Sequence, residues 1–284
     1  MSVLDVAKAP AGRLSAWRSA ARVPLVRRPG GRTLLGVIGS LGALALWELA
    51  VAVGVLPAQD VPPASEVLSE LVRLLGESAF WNAVWRTLAG AAVGLGIAIA
   101  VGVPIGMLMG TSRLVHHALR PTVEFLRPVP GVALIPLAVL IWGQSVRAVW
   151  ALVAFACVWP MLVQALYGAQ GVDEVARDTA RSFRLTRADR VRWLLIPSAL
   201  PYIATGIRIS ASMALIVAVS VELLTGAPGL GSSIVRAQEA TRFTEMYALI
   251  VASGILGIAI NLAFGRAERY FLRWHQSQRP GEEA

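Results

Sequence analysis

Long apolar runs alternate with shorter polar segments along this chain. A helix needs roughly 20 apolar residues to cross a bilayer. Runs of that order lie at about 33–56, 87–110, 121–143, 146–168, 198–224 and 247–264. A membrane β-barrel would instead show segments of about ten residues that alternate in hydrophobicity, and no such segments occur. The pattern predicts an all-α polytopic membrane protein with about six transmembrane helices. In the polar segment 57–86, Pro57, Pro62 and Pro63 precede an amphipathic stretch. There Val67, Leu68, Leu71, Val72, Leu74 and Leu75 share a helical face, while Glu66, Glu70, Arg73 and Glu77 fall largely elsewhere. With Trp81 and Trp85 following, this predicts a helix at the outer interface with aromatic anchors.

Two runs are unusual in composition. The second carries Gly90, Gly94, Gly102, Gly106 and Gly110, a small-x-x-x-small spacing that lets helices approach closely. The third carries Pro128, Pro130 and Pro136, each of which removes a backbone donor. This predicts a span over 121–143 that is kinked or begins late. Irregular backbone at membrane depth is tolerated where protein or a cavity covers it. Pro128, Pro130 and Pro136 are therefore candidates for a substrate-pathway lining, with a plain packing kink equally open. The first run is expected to be a retained span, because its basic flank is too long and its apolar core too extended for a cleaved signal.

Charge orients the spans. Only 15% of the 284 residues are charged, 56% are hydrophobic, and the net charge is +9. Basic residues concentrate in 1–32, 111–120, 169–197 and the tail, whereas 57–86 and 222–245 carry more acid than base. Arg113, His116, His117 and Arg120 mark one expected cytoplasmic turn. Six spans then place both termini on the cytoplasmic side. The same rule accounts for the basic balance without a nucleic-acid partner. Cys157 is the single cysteine, and His116, His117 and His275 have no ligand-like spacing, so no metal site is expected. Lys8 is the only lysine and no Gly-rich loop precedes it, so the chain holds no phosphate-binding loop. If transport is ATP-driven, the ATPase is another polypeptide.

Polar residues inside the spans are candidate pathway residues. Arg208 lies eleven residues beyond Pro197, where a charge costs about 2.5–3.5 kcal/mol on insertion scales. Either the fifth helix begins well inside the cytoplasm or Arg208 has a carboxylate or carbonyl partner. Ser212, one turn on, joins Ser210 and Ser220 at near-helical spacing. Glu222 is expected near the outer end of the span, at the interface.

The polar segment 169–197 is far longer than a helix connection requires. Its residues 174–186 suggest a short helix with a small apolar face and one aromatic, Phe183. Such a helix either docks a partner or packs on its own protein. The segment resembles the cytoplasmic signature of binding-protein-dependent ABC importer permeases, E-A-A-x3-G-x9-I-x-L-P. Asp178, Thr179 and Ala180 stand at the E-A-A positions, Arg184 at the Gly, and Leu194, Ile196 and Pro197 at I-x-L-P, with every spacing kept. The Glu has become Asp, the central Ala Thr, and the Gly Arg. The stretches 126–137 and 206–210, the Glu222 segment and the Gly229-Leu230-Gly231 turn are similar to permeases of the sulfonate, taurine and nitrate branch.

The resemblance, which spans about 33–275, implies a type I importer permease fold. It divides the chain into a basic cytoplasmic arm (1–32), a transmembrane permease domain (33–275) with a coupling loop (169–197), and a cytoplasmic tail (276–284). It also implies a bacterial inner-membrane location, a second permease copy, an extracytoplasmic solute-binding protein, and a cytoplasmic ATP-binding subunit that alone holds ATP. Asp178, Thr179, Ala180, Phe183, Arg184, Leu185, Leu194, Ile196 and Pro197 would then couple to that ATPase. Arg184 implies either a different local backbone or a charge facing an acidic ATPase surface. The implied solute is a small anion such as a sulfonate, taurine or nitrate. The rival reading, a secondary transporter without an ATPase, predicts internal repeats and embedded carboxylates, and neither is evident. A membrane enzyme would need clustered ionisable residues that the three histidines do not supply.

Overall fold

A computed structural model describes residues 31–271, all of whose regular elements are helical. The expected tail and all but the end of the basic arm lie outside the described residues. The chain divides into two compact units between Ser65 and Glu66. In the first, α1 (Gly31–Ala52) is an apolar helix that ends at Gly54, whose φ of +78° is free only for glycine. Its Glu48 carboxylate accepts hydrogen bonds from the Ser65 N–H (3.0 Å) and Ser65 Oγ (2.8 Å).

The second unit carries the amphipathic helix α2 (Ala64–Leu75) from its second turn onward. Val67, Leu71 and Leu74 are buried, whereas Leu68, Val72 and Leu75 are exposed, so the apolar stripe is narrower than its sequence suggests. Arg73 bridges Glu70 at 2.6 Å and also binds Glu77, which holds the Glu70 carboxyl below the usual range. Then follow α3 (Ser78–Thr111), α4 (Arg113–Leu126), α5 (Ile135–Trp142), α6 (Val146–Gln170), α7 (Glu174–Ser182), α8 (Arg187–Arg190), α9 (Ile196–Thr225), α10 (Leu230–Glu239) and α11 (Phe243–Phe271). Five helical stretches are long and apolar enough to cross a membrane, or six if the bent pair over α4 and α5 counts as one span. At 1.5 Å per residue, the 34 residues of α3 cover about 51 Å. They include Trp81 and Trp85, so these exposed rings stand on the first turns of a span.

The core of this unit lies where α3, α6 and α9 meet. It is built largely of small residues: Ala91 and Ala98 from α3, Ala148, Ala156 and Cys157 from α6, Ala211, Ala214 and Ala218 from α9. The five spaced glycines of α3 all face α6. A Cβ at Gly90 would lie 3.2 Å from Val149 Cγ1; at Gly102 it would lie 2.9 Å from the Val158 carbonyl oxygen and 3.0 Å from Met161 Cβ. Gly94, Gly106 and Gly110 meet Val153, Ala165 and Ala169 in the same way. On the other flank of α6, a Cβ at Gly168 would lie 2.9 Å from Ala199 Cα of α9. Ser210 is buried here too, exchanging 3.4 Å contacts with Cys157 across the α6–α9 seam, rather than lining an open route.

Several boundaries differ from the hydropathy reading, and in the third and fifth spans the reason involves proline. The third span does not begin at Pro121, which lies inside α4, a helix that also absorbs the expected turn at Arg113–Arg120. The break comes at 127–130, where Pro128 and Pro130 have no N–H with which to continue the helical ladder. A 3-10 turn (Gly131–Leu134) follows, and α5 leaves at 83° to α4. Pro136 sits in the first turn of α5, where no backbone donor is needed. The fifth span begins at Arg187 rather than 198, running through α8 and a π-helical turn (Val191–Leu195) into α9. Pro197 cannot donate to the carbonyl four residues back; the widened turn instead bonds the Ile196 N–H to Val191 O. Finally, α11 extends beyond 247–264 in both directions.

Substituting Gly102→Ala should lower the unfolding midpoint in detergent, corresponding to about 1–3 kcal/mol of overpacking. Gly96, on the same helix, has nothing within 4 Å of a built Cβ. Gly96→Ala should be neutral or mildly stabilising, by up to about 1 kcal/mol. Equal midpoints for the two variants would contradict this account of the seam.

Candidate functional site

The segment between α6 and α9 is mostly helix, and it is anchored at both ends. Asp173 caps α7, its Oδ1 accepting from the N–H groups of Val175 (2.7 Å) and Ala176 (3.1 Å). One turn on, the Arg177 guanidinium donates to the carbonyls of Ala169 (3.1 Å) and Gln170 (3.2 Å). Those carbonyls belong to the last turn of α6, which has no helical donors of its own. Ala180 is buried beneath α7, while Asp178 and Thr179 face outward, Asp178 pairing with Arg181 at 3.1 Å. Val175 is 74% and Phe183 78% exposed, so the apolar side chains of this loop helix are displayed.

The far end of α7 explains the signature's glycine position. The N–H of Leu185 bonds to Ala180 O at 3.0 Å and that of Arg184 to Arg181 O at 2.9 Å. This 6→1 and 5→2 pair is a Schellman motif with Arg184 at the left-handed position usually filled by glycine. Arg184 adopts φ +50°, and among the described residues only Thr241 is another non-glycine with positive φ. The backbone therefore keeps a glycine-type conformation and Arg184 bears the strain. Its side chain is exposed. Leu194, Ile196 and Pro197 lie in the π-helical turn and the first turn of α9, with Leu194 half-buried and Ile196 exposed.

The six candidate pathway residues do not gather at one place. Pro128, Pro130 and Pro136 are exposed around the α4–α5 break. Arg208 and Ser212 are one turn apart on α9, and Glu222 is fourteen residues beyond Arg208, about 21 Å along the helix. Both structural options for Arg208 hold together. The helix begins far back at Arg187, and the guanidinium meets Glu268 Oε2 and Asn261 Oδ1 of α11, each at 3.4 Å. Thr205 Oγ1 donates to the other oxygen of Glu268 at 3.1 Å.

Glu222 is not interfacial. It is 1% exposed, and its Oε2 accepts from Thr87 Oγ1 (2.8 Å) and the Gly231 N–H (3.0 Å). Thr87 Oγ1 in turn accepts from the Leu230 N–H at 2.9 Å. A Cβ at Gly229 would fall on the Glu222 carboxylate, so the glycine turn is the lid of this pocket. Thr87 carried no signal in the sequence, since it lies 135 residues from its partner. No group of three or more His, Cys, Asp or Glu residues among the described ones is arranged to hold a metal.

Fold and loop together define an all-helical membrane transport subunit with a rigid helix displayed outside the spans. The chain belongs to the family of binding-protein-dependent transport system inner membrane components, whose model matches residues 102–275. It is 30% identical over 255 residues to the taurine transport system permease protein TauC of Escherichia coli (strain K12), covering 88% of this chain and 93% of that one. The bicarbonate transport system permease protein CmpB of Synechocystis sp. (strain ATCC 27184 / PCC 6803 / Kazusa) is 30% identical over 247 residues, with 83% and 87% covered. The nitrate import permease protein NrtB of Leptolyngbya laminosa is 28% identical over 189 residues, with 66% and 67% covered. Among solved structures, a chain of the inward-facing MetNI methionine ABC transporter shares the fold at a TM-score of 0.59 and 21% identity, covering 67% of this chain and 95% of that one. The protein is thus a permease subunit of an ABC importer, not an enzyme, and its ATPase is a separate chain.

Relieving the left-handed strain should be measurable. Arg184→Gly should leave the unfolding midpoint unchanged or raise it by up to about 1 kcal/mol, while β-branched Arg184→Val should lower it by about 1–2 kcal/mol. The opposite order would sink the Schellman assignment. At the Glu222 end of the core, Thr87→Val leaves a buried N–H and a carboxylate oxygen short of partners. It should cost about 1–3 kcal/mol, whereas Thr87→Ser should retain most of the stability; thermal unfolding of the two variants compares them.

Proposed function

We propose that this permease works as a homodimer that carries a small anion across the inner membrane, each copy docking α7 into a groove of a cytoplasmic ATPase. The observation that carries the reading is Phe183, a large aromatic left 78% exposed at the C-cap of a helix that Asp173 caps and Arg177 ties to α6. A solvent-exposed aromatic on a rigid support suits a hot-spot anchor. Because α7 hangs from the α6 carbonyls through Arg177 and leads through α8 into α9, a push on it is transmitted to two core spans. ATP would bind only to the partner, and closure of the ATPase pair would move both loop helices between inward- and outward-facing arrangements. A binding protein would deliver the solute from outside.

The distribution of charge supports cytoplasmic termini, with α7 on the same side. Relatives named for taurine, bicarbonate and nitrate support a small anion as solute, with sulfonates, taurine and nitrate foremost. Residues 121–143, with their broken backbone, and the polar positions Arg208 and Ser212 of α9 are the proposed route. Glu222, locked beneath the 229–231 turn, would brace its outer end rather than meet the solute.

The test is affinity purification from native membranes in mild detergent. The wild-type chain should carry an ATPase in stoichiometric amount, and Phe183→Arg should lose it, consistent with an anchor contributing at least about 2 kcal/mol. Phe183→Ala should insert normally but take up less solute per ATP hydrolysed. Retention of the ATPase by Phe183→Arg would refute the docking role.

A further inference from the structure

A cavity of about 610 Å3 lies where the ends of α3 and α6 meet the connection from α7 to α9. Arg177, Arg181, Arg187 and Arg190 line it, and no carboxylate does. Two of these are already engaged, Arg177 with the α6 carbonyls and Arg181 with Asp178. Among the described residues, Arg187 is exposed and its side chain has no hydrogen-bond or ion-pair partner, whereas Arg190 Nε is buried without one. A buried donor left unpaired is costly, more so when it is charged. An anion in the cavity would satisfy Arg190 and take Arg187 as a second ligand.

Apart from Thr111 the remaining wall is apolar, with Leu108 of α3 and Val191, Leu194 and Leu195 of the π-helical turn as its large side chains. Val191 is also 43% exposed. Two residues further along the turn is Trp193, 67% exposed, with the Arg192 guanidinium 5.2 Å from its ring centroid. Exposed tryptophan beside arginine is the chemistry of the headgroup level of a bilayer. Phosphate alone would have no use for the apolar wall, and the carboxylate of a docked protein would have no use for the membrane-level tryptophan.

We infer that this cavity seats the phosphate headgroup of an anionic lipid, with Arg187 and Arg190 as its ligands and the wall from Leu108 to Leu195 against the start of the acyl chain. The inference takes from the proposed function only that the α7 side faces the cytoplasm, whose leaflet carries anionic lipid. Lipid retention in detergent depends neither on orientation nor on ATPase docking, so the two readings can fail separately. A lipid held there would tie the root of α7 to the membrane surface.

Native mass spectrometry of the full chain in mild detergent, with phosphatidylglycerol or phosphatidylcholine added, tests it. The wild type should retain phosphatidylglycerol about tenfold more than phosphatidylcholine. The double variant Arg187→Gln/Arg190→Gln should lose that preference, and Arg192→Gln, outside the cavity, should keep it. If the double variant does not purify as a monodisperse species, Arg190→Gln against Arg190→Lys decides, with loss expected only for Gln. Equal retention of the two lipids would overturn the inference, as would a loss with Arg192→Gln as large as with the double variant. Displacement of phosphatidylglycerol by millimolar inorganic phosphate would make it a free-phosphate site and overturn the lipid reading. So would a double variant that sheds its ATPase but keeps its lipid, which would mark a protein contact.

Discussion

Lipid tails are as apolar as leucine, so spans in a bilayer gain little from burying large side chains against one another. What holds them is close approach, and close approach requires that nothing stand between the backbones. The α3–α6 seam meets that requirement with a glycine at each of five positions, from Gly90 to Gly110, set against Val149, Val153, Met161, Ala165 and Ala169. On the opposite flank of α6, Gly168 and Gly206 do the same for α9. Every feature argued to carry function hangs from these three helices. The seam brings Thr87 to Glu222 at one end and fixes the last turn of α6, whose carbonyls receive Arg177, at the other.

The two ends of the core handle polar groups differently. At the Glu222 end the polar groups are closed in: Glu222, Thr87 and the N–H groups of Leu230 and Gly231 satisfy one another, and the absence of a side chain at Gly229 makes the room. Such a network is worth having only when it is complete, because a half-satisfied one leaves a buried charge. At the α7 end the polar groups are left open. Phe183 and Arg187 are displayed, Arg190 Nε is buried without a partner, and Arg184 is held in a conformation its side chain disfavours.

Arg184 illustrates how a motif can lose its residue and keep its shape. The Schellman bonds from Leu185 and Arg184 to Ala180 and Arg181 dictate a left-handed residue between helix and turn, and the chain accepts the cost of about 1–2 kcal/mol. This segment keeps the signature's spacing while departing from its residues, and spacing sets where α7 stops and α9 starts.

Much of this was determined by the sequence alone. Hydropathy runs located the spans with starts up to eleven residues off, charge asymmetry supports a topology, the single lysine ruled out a phosphate-binding loop, and the spacing from Asp178 to Pro197 pointed to the family. These are properties of composition and local order, and a one-dimensional reading captures them. Tertiary structure decided the rest. A proline's effect depends on its place in the helix: Pro136 is harmless in a first turn, Pro128 and Pro130 break the chain, and Pro197 calls for a π-helical turn. Arg208 became tolerable through Glu268, sixty residues away, and Glu222 left the interface because Thr87 and a glycine turn enclosed it. Hydrogen-bond partners so distant in sequence are chosen by packing, and only the folded chain shows which polar groups packing has brought together.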